Sequence, residues 1–314
     1  MKNYKDQFGV EIQLNYPTKK KLVKSGCLVE VYQFGNDILL GRKRHKVRTP
    51  EEETLRHITP PNHEEVLKSS ARRAKRMIKR LIYSNSFKWL KANDKPCLPI
   101  TLTLTFEENI QDLKQANYEF TKFIRRLNYE TNGIEGKELK QSNIKYLAVF
   151  ELQKRGAIHY HAIFFNMPYI NNIYDRMRDI WGQGRIMVGG KEKNFNKIKN
   201  QTQLKNIIDY FIKYIQKSIF ENSFPNQKKY ITSKGLIKPM ENYFEEVIDL
   251  VESEMPSECL VYKRDGETEY NNSDINDTVG QPKNYLRWLN YYQYDLSNNP
   301  EIESRINEIL ETYS

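Results

Sequence analysis

Two groups of side chains in this 314-residue chain have the types and spacing to do chemistry. The first is His159-Tyr160-His161, inside the apolar run 157–165. On a β-strand, residues i and i+2 share a face, so both imidazoles point one way and Tyr160 the other. Two adjacent imidazoles make poor core residues and a good half-site for a divalent cation. A pair of hydrogen-bonded structural histidines is the alternative. Mg²⁺ and Mn²⁺ prefer oxygen ligands as well, and the nearest carboxylate is Glu151, one strand earlier. With a five-residue connection, 153–157, Glu151 lies across from His159 on the same face. With a four-residue connection it turns away, and Gln153, which has the same parity, is the fallback oxygen donor.

The second group is Tyr210-x-x-Lys213-Tyr214-x-x-Lys217. Tyrosines at i and i+4 share a helix face, and each has a lysine three residues on. A phenol is a weak nucleophile near neutral pH unless a cation or metal assists it. The nearby ammonium groups are suited to stabilising a phenolate or a phosphate oxygen. In a chain with 21 tyrosines, an amphipathic helix with packed tyrosines and solvated lysines is the competing reading. No nucleotide-binding loop accompanies these groups. Gly190-Lys191 is followed by Glu192, where such a loop needs Ser or Thr.

These residues need elements to position them. Residues 100–106 (ITLTLTF) alternate Thr with apolar residues, the period of a strand with one buried face. Apolar residues at helical spacing over 110–128 predict a helix. Strands at 144–152 and 157–165, joined at QKRG, predict an antiparallel hairpin. A short helix over 171–181 ending at Trp181-Gly182, a strand at 185–188 closed by Gly189-Gly190, and a helix over 202–220 complete the series. The order β-α-β-β-α-β-α predicts an α+β fold, an antiparallel sheet with helices packed on its faces.

The flanks are read from charge. Residues 1–100 carry 22 Lys/Arg against 10 acids, 101–240 carry 23 against 13, and 241–314 carry 5 against 17. A basic body with an acidic end suggests a polyanionic partner for the body. The acidic end is itself able to fold back on it. Residues 25–40 predict a strand pair turning at Gly35-Asn36. A basic loop follows, with Arg42, Lys43 and Arg44. A helix is predicted over 62–83, with Asn62 as N-cap and Glu65 completing a capping box. Its Arg72, Arg73, Arg76, Lys79 and Arg80 are candidates for phosphate contact. Three scattered cysteines, Cys27, Cys97 and Cys259, exclude a disulfide framework and a CxxC zinc site. With no apolar run of about 20 residues and no signal-like start, a soluble cytoplasmic protein is expected.

Taken together, Leu102-Thr103-Leu104-Thr105-Phe106, then His159-Tyr160-His161, then Tyr210-x-x-Lys213-Tyr214-x-x-Lys217 resemble the three motifs of the HUH superfamily of rolling-circle replication initiators. The tandem tyrosines resemble the replication initiators of small single-stranded DNA phages, of the microvirus and gokushovirus type. The resemblance covers about residues 98–221. It implies a ferredoxin/RRM-like HUH endonuclease core over 98–221, between a basic N-terminal segment, 1–97, and an acidic C-terminal extension, 222–314.

The resemblance further implies a metal-dependent, site-specific single-strand DNA endonuclease and strand-joining nucleotidyltransferase. His159, His161 and Glu151 would hold Mg²⁺ or Mn²⁺. Tyr210 or Tyr214 would attack origin DNA, single-stranded or supercoiled, to give a 5′-phosphotyrosine and a free 3′-hydroxyl. Lys213 and Lys217 would lie beside the phosphate oxygens. A host polymerase and helicase would be partners, in the host cytoplasm if the protein is viral. A plasmid relaxase or transposase of the same superfamily, or a non-catalytic nucleic-acid-binding module, are the rival readings.

Overall fold

A computed structural model describes residues 3–5, 11–13, 15–40, 63–91, 93–132, 143–189, 198–220, 230–271 and 284–313. In chain order the strands are β1 (Asn3–Lys5), β2 (Glu11–Gln13), β3 (Asn15–Ser25), β4 (Leu28–Leu40), β5 (Ile100–Thr105), β6 (Tyr146–Leu152), β7 (Ile158–Phe164), β8 (Ile186–Val188), β9 (Tyr230–Thr232), β10 (Met240–Asn242), β11 (Leu260–Asn271) and β12 (Asn284–Asp295). The α-helices are α1 (His63–Asn85), α2 (Leu113–Asn132), α3 (Ile173–Trp181), α4 (Gln201–Phe220), α5 (Glu245–Ser253) and α6 (Pro300–Thr312). Among the described residues, no helix is long and apolar enough to cross a membrane. The chain divides into two compact units. One is Pro61–Lys238; the other joins Met1–Pro60 to Pro239–Ser314.

The unit Pro61–Lys238 is built on an antiparallel sheet in the order β8-β5-β7-β6-β9. The expected β-α-β-β-α-β-α series is present as β5-α2-β6-β7-α3-β8-α4. Even-numbered residues of the central strands (Leu102, Leu104, Phe150, Tyr160, Phe164) join α2 and α3 in one buried apolar cluster. Phe120 stacks on Tyr160 with centroids 4.7 Å apart, and Phe106 meets Trp181 at 4.9 Å. Each such side chain contributes about 1.5–3 kcal/mol by leaving water. The odd-numbered face is covered too. Helix α4 packs on β6 and α1 on α4, with Leu204, Ile208 and Phe211 of α4 and Ile78 and Ile82 of α1 buried. This second layer explains why Thr101 and Thr103 are buried although they are polar.

The β6–β7 connection is the five residues 153–157, closed by the Gln153 N–H to Ala157 O (2.8 Å) and the Gly156 N–H to Gln153 O (2.8 Å). Gly156 takes φ 86°, a left-handed value open to glycine. At the other edge, the Thr105 N–H donates to Arg185 O (2.9 Å) and the Glu107 N–H to Gln183 O (2.8 Å). Gly184 lies between these bonds at φ 139°. A Cβ there would stand 2.5 Å from Glu107 N and 2.7 Å from Thr105 O. Both are backbone atoms that cannot swing away. Gly184→Ala is therefore expected to cost about 2–3 kcal/mol, read as a lower urea midpoint at unchanged m.

The other unit is an antiparallel sheet in the order β10-β3-β4-β12-β11, with α5 and α6. Its centre pairs β4 with β12, Val31 opposite Tyr292 and Glu30 opposite Gln293. The turn between β3 and β4 is at Gly26-Cys27, with Gly26 at φ 58°, and not at the expected Gly35-Asn36. That dipeptide instead falls in β4 where the register slips, between Gln33 (opposite Lys20) and Ile38 (opposite Thr18). Acidic residues 241–314 supply strands and helices to this sheet and pair with its basic strand. Lys20 bonds Asp249 and Glu252, Lys21 meets Glu241 at 2.9 Å, and Lys24 meets Glu303 at 3.7 Å. Partial burial disfavours the charge of Lys20, but its two carboxylate partners outweigh this and hold its pKa above the ordinary value. Buried Glu30 accepts hydrogen bonds from Tyr32 Oη (3.0 Å) and Tyr291 Oη (2.8 Å).

Candidate metal centre

Strand β7 lies between β5 and β6. Its odd-numbered residues therefore sit in rows with odd-numbered residues on both sides. His159 is opposite Thr105 on β5 and Glu151 on β6; His161 is opposite Thr103 and Val149. The five-residue connection produces this register and puts the carboxylate on the imidazole face. Glu151 Oε1 lies 3.2 Å from His161 Nε2 and 3.7 Å from His159 Nδ1. One ligand atom from each of the three residues falls within 4.8 Å of the others. His161 and Glu151 are buried and His159 is half-buried.

Two imidazole nitrogens and one carboxylate oxygen fit a divalent ion by their chemistry, since they combine nitrogen and oxygen donors converging on one point. This buried cluster could hold a metal, although the donor set does not by itself fix which one. The 3.2 Å contact is a hydrogen bond when the His161 proton is on Nε2. It is a pair of ligand atoms for one ion when the proton is on Nδ1.

Helix α4 brings a phenol to the same face. Burial of Leu204, Ile208 and Phe211 orients the helix, and half-buried Tyr210 turns its hydroxyl to within 3.1 Å of His161 Nδ1. The two rings meet edge to face, centroids 5.3 Å apart and planes at 89°. Tyr160, between the histidines, points the opposite way. Its hydroxyl donates to Asn117 Oδ1 at 2.7 Å, and burial pushes its phenol pKa far up, as the strand parity requires of a core residue.

The structure thus brings together His159, His161, Glu151 and Tyr210. Gln153 lies in the connection and accepts from Arg155 Nε at 3.1 Å. Lys213 is exposed. Tyr214 and Lys217 lie on α4, but their side chains are outside the described residues. On α1, Arg72, Arg73 and Arg76 are exposed, Lys79 is half-buried, and Arg80 is buried at 7%. Arg80, one of the candidates for phosphate contact, is turned inward by the fold. Arg42, Lys43, Arg44 and the Asn62 N-cap lie outside the described residues. Two polar neighbours were named in the sequence only as part of the first motif, with no role. Thr103 Oγ1 lies 3.2 Å from His161 Nδ1, and Thr105 Oγ1 lies 2.6 Å from His159 Nε2. Their common parity with the histidines was the available signal.

Residues 99–219 match the family model of the replication-associated proteins of the ORF2 and gene-2-protein type. The matched segment runs from β5 to the last turn of α4, and it contains both histidines, Glu151 and Tyr210. The match spans 121 of the 314 residues. No curated protein and no solved structure matches the chain.

Proposed function

We propose that the chain nicks one strand of an origin through a 5′-phosphotyrosine, as HUH endonucleases do, and starts rolling-circle replication from the freed 3′-hydroxyl. The observation that carries this reading is the Tyr210 hydroxyl 3.1 Å from His161, on the face of the His159–His161–Glu151 cluster. His159 and His161 with Glu151 would hold Mg²⁺ or Mn²⁺. Such an ion polarises the scissile phosphodiester as a Lewis acid when bound. The Tyr210 oxygen attacks phosphorus in line. A Tyr–O–P bond forms, the P–O3′ bond breaks, and the proton given up by the phenol is balanced by the one the departing 3′-oxygen takes. One phosphoester replaces another, so no nucleotide hydrolysis is needed. This agrees with the lack of a phosphate-binding loop. Tyr214, one turn along α4, is assigned the second cleavage, and Lys213 and Lys217 the nonbridging oxygens.

Host polymerase then extends the 3′-hydroxyl, and the second cleavage lets the product close into a circle. Tandem tyrosines on one helix favour a phage-type initiator over a transposase with a single tyrosine, and their place in the middle of the chain disfavours a relaxase with its tyrosine near the N-terminus.

The test is labelled single-stranded origin DNA with Mn²⁺, followed by a denaturing gel. A shifted covalent band that vanishes with chelator is expected. Salt-sensitive binding without metal-dependent cleavage would mean a non-catalytic binding module. Exposed Arg72, Arg73 and Arg76 are assigned to the flanking phosphates. Replacing all three by Ala is expected to lower the slope of log K against log salt by about 2, at roughly 0.7 per single-strand phosphate contact.

A further inference from the structure

We infer that Thr103 and Thr105 are positioning residues that aim the two imidazoles at the metal point; the inference rests on the metal reading of the cluster. The register sets the problem. Glu151 is directly opposite His159 but diagonal to His161. Diagonal neighbours on a sheet are farther apart than direct ones. His159 therefore meets the carboxylate through Nδ1, the ring nitrogen nearer its strand, and His161 through Nε2, the farther one. The two rings must take different orientations. The second torsion of histidine is broad and roughly two-fold. A half-turn of either ring would present carbon to Glu151 where nitrogen is required.

Strand β5 supplies the constraint. Each histidine's remaining nitrogen meets the hydroxyl of its direct cross-strand neighbour, Thr105 for His159 Nε2 and Thr103 for His161 Nδ1. After a half-turn, carbon would face each hydroxyl and the bond would be lost. A hydroxyl both donates and accepts. The contact therefore persists whether the outer nitrogen carries its proton, as a metal-ligating ring needs, or lacks it. Threonine is also stiff at its first torsion, so its oxygen is held in place. Thr103 is buried at 6%, where water does not easily stand in for it.

Valine keeps the shape of threonine and removes the hydroxyl. Mn²⁺ binding to the full chain, without DNA, is read by electron paramagnetic resonance of the free ion. Loss of an outer partner of a ligating histidine typically weakens binding 10–100-fold, and about that loss is expected for Thr105→Val. Thr103→Val should lose less, because the Tyr210 hydroxyl also lies at His161 Nδ1. Thr→Ser at either site should recover most of the affinity. Melting temperatures measured in chelator separate positioning from folding, and half-buried Thr105 offers a variant that folds even if the buried Thr103 site does not tolerate valine. Wild-type Mn²⁺ affinity in folded Val variants would overturn the positioning role and leave the metal reading standing. A wild-type chain that binds no Mn²⁺ would overturn both.

Discussion

Tyr210→Phe should remove the covalent protein–DNA band from the first cleavage while leaving the fold in place. Phenylalanine keeps the ring that packs edge to face on His161 and deletes only the attacking oxygen. The stability cost is that of one hydrogen bond, about 1 kcal/mol. The catalytic cost is of another order, since removing the nucleophile of a hydrolase lowers turnover by about 10⁶. Tyr210 is assigned the first attack because its hydroxyl is at the imidazole cluster. Peptide mapping of the wild-type adduct should accordingly find the nucleotide on Tyr210. A residual band in the single variant should map to Tyr214, four residues on, and disappear in Tyr210→Phe/Tyr214→Phe. An undiminished adduct in the double variant would remove the tyrosines from the chemistry altogether.

The site was legible in sequence to the extent that it obeys parity. Histidines two apart on a strand must share a face, and a five-residue connection must put Glu151 opposite His159. Both follow from the period of a strand, and the register agrees. The order of elements was legible for the same reason, since each has one apolar face with its own period. What periodicity cannot carry is neighbourhood. Nothing local says that β5 lies beside β7 rather than β6, so Thr103 and Thr105 read as alternating strand residues of the first motif, with no contact to the histidines implied. The pairing of β4 with β12 joins Val31 to Tyr292, and a contact so distant in sequence leaves no trace in either segment.

Charge patterns misled in a related way. Spacing alone cannot tell Arg76, exposed on α1, from Arg80, which the layer above the sheet buries. The excess of acid over 241–314 suggested folding back on the basic body, but not which lysines it meets. Glu241, Asp249, Glu252 and Glu303 meet Lys20, Lys21 and Lys24 on β3, a pairing fixed by strands and helices that assemble from both ends of the chain. Gly35-Asn36 carried a turn signal because glycine and asparagine tolerate left-handed backbone. The fold keeps that dipeptide within β4, at a slip in register, and makes its turn at Gly26.

Glu151→Gln tests the metal reading most sharply, because the two interpretations of the cluster predict opposite signs for stability. Glutamine keeps the size and one carbonyl oxygen but loses the charge. Mg²⁺ and Mn²⁺ depend on charged oxygen ligands, whereas Co²⁺, Ni²⁺ and Zn²⁺ are satisfied more by imidazole. Cleavage supported by Mg²⁺ should fall by at least about 100-fold, beyond the loss typical of an outer partner. Binding of Ni²⁺ or Zn²⁺ by the remaining His159 and His161 should fall much less. In chelator, the wild-type chain keeps a 7%-exposed carboxylate against two imidazoles, and burying that charge costs free energy that glutamine does not incur. The variant's melting temperature without metal should therefore equal or exceed the wild type's. If Glu151 instead serves only to accept a hydrogen bond from a structural histidine, removing its charge weakens a bond to a charged group, which costs about 1.5–3 kcal/mol. The melting temperature would then drop, with no change in the preference among metals. Activity lost together with stability gained is a combination that a cluster kept for folding alone does not produce.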